Sequence, residues 1–67
     1  MSGAHLAAVL RAIARAEGLE ACAVWLAHGT VWRRDDTGAL RTVCQVGSAV
    51  WLAHAATVRA AACRRQR

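Results

Sequence analysis

The sequence predicts a single α+β domain over residues 1–67, ordered helix, three-stranded antiparallel meander, helix. Three observations predict it. Leu6, Val9, Leu10 and Ile13 fall at i, i+3, i+4 and i+7, the spacing of one helix face. The middle of the chain then turns to short runs rich in Val, Trp, Thr and Leu, broken by two turn signals, His28-Gly29 and Asp35-Asp36-Thr37-Gly38. After Ser48 a helical stripe returns in Trp51, Ala55, Val58 and Ala62.

The first helix is expected over 4–17, with Arg11 and Arg15 together on its far side. Ser2 is placed to cap its start and Gly18 to end it. Strands are expected at about 21–27, 30–34 and 39–46. Gly29 offers the positive φ of a two-residue turn, and Gly38 closes the longer loop. The second helix is expected over 49–64 behind a Ser48 cap. Its second stripe, Ala49, Ala53, Ala56 and Ala60, either fills an exposed face or lets another helix come close. The tail at 64–67, Arg64-Arg65-Gln66-Arg67, is basic and suits the negative end of the helix dipole. The hexamer AVWLAH occurs at 23–28 and again at 49–54. With only two copies it excludes a solenoid, and it reads as strand once and helix once. A helical first copy is the competing reading.

Composition limits the core. The chain has 67 residues and is 57% hydrophobic, but 17 of the hydrophobic residues are alanine. Alanine supplies helix propensity more than buried volume, so the core is expected to be thin and a homodimer to supplement it. Nine basic residues, all Arg, face four acids for a net charge of +5. Zero Lys beside abundant Ala, Arg, Gly and Val fits a GC-rich coding sequence. The charge favours an acidic partner: a protein surface, a nucleic acid or an anionic lipid. Cys22, Cys44 and Cys63 are odd in number and lack a pairing pattern, so they are read as reduced thiols in a cytoplasmic protein. Arg11 and Arg15 interrupt the first apolar run, which argues against a secretory leader. The run from Ala49 to Val58 is too short to span a bilayer, and no membrane partner is expected.

A two-residue turn at His28-Gly29 sets Ala27 against Thr30, Leu26 against Val31, Trp25 against Trp32 and Val24 against Arg33. One face then collects Cys22, Val24, Leu26, Val31, Leu40, Thr42 and Cys44, an aliphatic core face with Arg33 at its margin. The other collects Trp25, Thr30, Trp32, Arg34, Arg41 and Val43, with Arg41 placed to stack on Trp32. Trp and Arg dominate binding hot spots, and the pair could equally stack on single-stranded bases while Arg meets phosphate. A helix laid over this face would bury it instead.

Three Cys and three His raise a zinc module as an alternative, but Cys22-x5-His28 and Cys44-x9-His54 do not match close-paired zinc spacings. No metal or cofactor is therefore expected. Catalysis is not expected either: no third group fixes a Cys/His pair, Asp35 and Asp36 read as turn formers, and the five Gly stand singly. His5, His28 and His54 read as surface imidazoles.

In size and lack of motif the chain resembles the small α+β inhibitors that phages and mobile elements direct at host machinery, anti-CRISPR proteins among them. That resemblance implies no residue roles. The expected function is a non-enzymatic protein that occupies a surface of an acidic protein or nucleoprotein target. Trp25, Trp32, Arg34 and Arg41 are the expected contacts, with Arg64 and Arg65 assisting. A DNA- or RNA-binding regulator using the same residues is the alternative.

Overall fold

The computed structural model describes residues 3–65. The order is helix α1 (Gly3–Ala16), a short 3-10 turn (Ala21–Ala23), strands β1 (Val24–Ala27), β2 (Thr30–Arg34) and β3 (Leu40–Gln45), and helix α2 (Ala49–Arg65). The strands form one antiparallel sheet in the order β1-β2-β3. The expected α+β architecture is therefore observed. Ser2 and the tail residues Gln66 and Arg67 lie outside the described residues.

Helix α1 ends where Gly18 takes a φ of 72°. The Gly18 N–H donates to the Arg15 carbonyl at 3.1 Å and the Leu19 N–H to the Ala14 carbonyl at 2.9 Å. Those two bonds satisfy carbonyls that the helix end would leave bare. Leu19 then folds back onto the core beside buried Ala14. The first strand is shorter than expected. Residues 21–23 close a 3-10 turn, in which the Ala23 N–H donates to the Glu20 carbonyl at 3.0 Å. Cys22 is consequently exposed rather than on the core face.

His28 and Gly29 both have positive φ, 54° and 73°, as a two-residue hairpin turn of the strand-matching hand requires. The hairpin register is Val24–Arg33, Trp25–Trp32, Leu26–Val31 and Ala27–Thr30. The next pairing is irregular. Val31 lies opposite Cys44 but Trp32 opposite Thr42, so Val43 is an extra residue on β3. This bulge reverses the expected facing of the strand's first half. Leu40 and Thr42 join the tryptophan side, while Arg41 shares the side of Arg33 and Val43 packs against the core.

Helix α2 starts at Ser48, whose hydroxyl accepts from the Trp51 N–H at 3.4 Å and whose carbonyl accepts from the Leu52 N–H at 2.9 Å. Both helices pack on the aliphatic side of the sheet. The core cluster joins Val9, Ile13 and Ala14 of α1, Val24 and Val31 of the sheet, and Trp51 and Ala55 of α2. Val58 lies partly buried against it, and Ala62 is half-buried on the same stripe. The layers are thus helix pair on sheet, and the other face of the sheet carries no helix among the described residues.

Candidate functional site: the open tryptophan face

Trp25 and Trp32 stand opposite each other on neighbouring strands, so they project to the same side. That side is the one the helices leave uncovered, and both indoles are half-buried. Their cross-strand packing contributes up to about 1 kcal/mol to the sheet. Two residues along β2, Arg34 lies over Trp25, its guanidinium carbon 5.6 Å from the ring centroid. This contact is a cation–π interaction. Thr42 completes the row opposite Trp32, and Leu40, 57% exposed, stands opposite Arg34. The result is two aromatic rings, a guanidinium above one of them and an exposed aliphatic side chain at the edge.

The expected contact residues divide into three groups. Trp25, Trp32 and Arg34 come together on this face. Arg41 does not stack on Trp32. The bulge turns it to the opposite side, where its Nε reaches the Asp35 carboxylate at 3.5 Å. Arg64 and Arg65 lie at the exposed C-terminal end of α2, in the helix layer. Arg64 and Arg65 therefore do not extend the tryptophan face.

Two carboxylates hold the strand arginines that the bulge sets against each other. Arg33 and Arg41 are direct cross-strand partners of like charge, which is unfavourable. Arg33 Nη1 donates to Glu17 Oε1 at 2.9 Å, tying β2 to the end of α1, while Asp35 takes Arg41. Asp35 does more than form a turn. Its Oδ1 accepts from the Thr37 hydroxyl at 2.6 Å, the Thr37 N–H at 3.0 Å and the Ala39 N–H at 2.9 Å. The Thr37 hydroxyl above all, then the two backbone amides and Arg41, hold its carboxyl below the usual value; partial loss of solvent opposes them. No sequence signal pointed to the Glu17–Arg33 pair, sixteen positions apart. Asx-type hydrogen bonding by Asp35 was within reach of the Asp-Asp-Thr-Gly spacing.

The thiols do not form a site. Cys22 and Cys63 are exposed, and burial pushes the Cys44 thiol above its ordinary value. Among the described residues no three His, Cys, Asp or Glu side chains gather where they could hold a metal ion. No helix there is long and apolar enough to cross a membrane. Compared with known proteins, the chain matches no family model, no curated protein and no solved structure.

Proposed function

We propose that this protein is a non-enzymatic binding protein that works by laying the open face of its sheet on an acidic surface of a protein or nucleoprotein target. The observation that carries this reading is the placement of Trp25, Trp32 and Arg34 on the one sheet face without a helix over it. Two large aromatics and an arginine on an open face match the composition of binding hot spots. The net charge of +5 selects acidic partners and speeds their encounter. In its small size and absence of catalytic motif it fits an inhibitor of the kind that phages and mobile elements carry.

The test is the double substitution Trp25→Ala with Trp32→Ala. The core cluster contains neither residue, so the helical circular dichroism and a cooperative melt are expected to persist. Binding to a partner captured by the parent chain should weaken by about a hundredfold or more, the range of two hot-spot losses. Undiminished binding by the folded variant would remove the reading.

Half-exposed indoles beside Arg34 also favour a second reading, stacking on single-stranded nucleic acid. Salt separates the two. Oligonucleotide affinity should fall steeply as ionic strength rises, by counterion release, whereas an acidic protein contact anchored by the indoles should lose on-rate but keep most of its affinity.

The proposed working unit is a homodimer. The buried hydrophobic core among the described residues is only seven side chains, and α2 leaves Val50 and Leu52 about half exposed, at 49% and 53%. Light scattering should return twice the mass of the 7.1 kDa chain; the mass of one chain would remove this part.

A further inference from the structure

A second surface lies in the helix layer. Helices α1 and α2 enclose between them a shallow groove of about 170 Å³, with Ala8, Ala12, Val58 and Ala61 in its floor. Arg11 and Arg15 of α1 and Arg65 of α2 line it as well. The floor residues are half-buried and the arginines exposed. Among the described residues none of these three guanidiniums forms an ion pair; the two ion pairs there are Arg33–Glu17 and Arg41–Asp35. The chain therefore sets three unpaired guanidiniums around a groove floored by small apolar side chains, in the helix layer and away from Trp25 and Trp32.

We propose that this groove docks an acidic amphipathic helix of a partner protein, with carboxylates four residues apart. The spacing argues for it. Arg11 and Arg15 are one helical turn apart, their Cβ atoms separated by about 5–6 Å, and carboxylates at i and i+4 on a facing helix repeat that interval. The floor argues for it too. Methyl groups at Ala8, Ala12 and Ala61 let a helix approach near the short end of the usual interaxial range of about 8–10 Å. Val58 offers an apolar contact for the partner's own stripe. Thr57 at the edge adds no free proton, because its hydroxyl donates to the Ala53 carbonyl at 3.1 Å. Recognition then rests on guanidinium to carboxylate bonds flanking a floor of small apolar side chains, the helix-in-groove mode. A second copy of this chain is a poor occupant. It has four acids, of which Glu17 and Asp35 are engaged, and neither α1 nor α2 carries any.

This groove is independent of the tryptophan face, and the experiment keeps them apart. The isotope-labelled full chain is titrated with a synthetic helical peptide of about 18 residues, long enough to hold a helix. It carries Glu pairs four apart beside an Ala/Leu stripe. Amide shifts are expected at Ala8, Ala12, Val58 and Ala61. The variant Arg11→Gln with Arg15→Gln, its fold checked by circular dichroism, should bind about tenfold or more weakly, as should the parent toward a peptide with Gln in place of Glu. Arg65→Gln should weaken binding in the same direction. Trp25→Ala with Trp32→Ala should bind the peptide unchanged. Shifts confined to the sheet, or equal affinity of the Arg11/Arg15 variant, would overturn the proposal. So would a single-stranded oligonucleotide that displaces the peptide and holds the same amides more tightly, because it would assign the groove to phosphate.

Discussion

Asp35 concentrates more structure on one side chain than any other polar residue described. Three donors converge on its Oδ1 and Arg41 approaches its Oδ2, so one carboxylate shapes the loop between β2 and β3 and neutralises a strand arginine. All of these contacts favour the ionised form, and the carboxyl accordingly titrates below its ordinary value of 3.8. The sign of the pH effect follows. A carboxyl with a lowered folded value stabilises the fold at any pH above the unfolded value, and that contribution fades as pH falls through the folded one. Stability should thus decline on acidification below about pH 4, starting at the unfolded carboxylate's range. Asp35→Ala should lower the melting temperature at pH 7 and flatten this acid dependence. Thermal melts of parent and variant between neutral and acidic pH check it; an acid profile as steep in the variant as in the parent would assign the effect to other carboxyls. Asp36, exposed beside it, is the ordinary solvated turn residue that both aspartates resemble in the sequence. Burial and donors distinguish the two, and neither is a property of residue type.

Among the elements, the hairpin was open to derivation because its turn chemistry is local. Gly29 between two β-rich runs reads as a positive-φ turn residue, and that one turn fixes the register that pairs Trp25 with Trp32. Substitutions there carry a definite expectation. A Cβ at Gly29 meets no atom within 4 Å, so Gly29→Ala costs only its conformation, about 1 kcal/mol. For a domain of this size that is a fall of about 4–8 °C in melting temperature. His28→Asn should raise it, since Asn tolerates the left-handed region and Asn-Gly is the preferred pair for this turn. Opposite signs for the two variants by calorimetry support the turn, while two neutral results would show that it does not limit stability. Strand β3 was not open to the same derivation. Its bulge at Val43 has no glycine to announce it, and one extra residue exchanges the faces of Leu40, Arg41 and Thr42. That is why Arg41 was expected beside Trp32 and is found with Asp35. The groove in the helix layer shows the same boundary. Arg11 and Arg15 are visibly one turn apart in the sequence, but their convergence with Arg65 depends on how two helices far apart in the chain pack.

The molecule as a whole turns on its repeated hexamer. In the first copy, AVWLAH opens with the end of a 3-10 turn and continues as β1, leaving Trp25 half-buried on the open face. In the second it starts α2 and drives Trp51 to 0% exposure among Val9, Ile13 and Val31. Identical local sequence is overruled by its surroundings: Gly29 turns the first copy into a hairpin, and the Ser48 cap starts the second as a helix. The two tryptophans therefore have opposite duties, and substitution should separate them. A domain of this length holds about 3–10 kcal/mol in total, at roughly 0.05–0.15 kcal/mol per residue. Replacing a fully buried Trp by Ala costs about 3–5 kcal/mol, and the few other large core residues cannot close the cavity. Trp51→Ala should abolish cooperative melting, and Trp51→Phe should restore a transition at lower temperature. Trp25→Ala should keep the melt, losing the cross-strand packing with Trp32 and the Arg34 cation–π contact, each up to about 1 kcal/mol. Differential scanning calorimetry of the three variants decides the matter. A Trp51→Ala chain that melts cooperatively near the parent temperature would mean that the helices and sheet are held together by something other than this core.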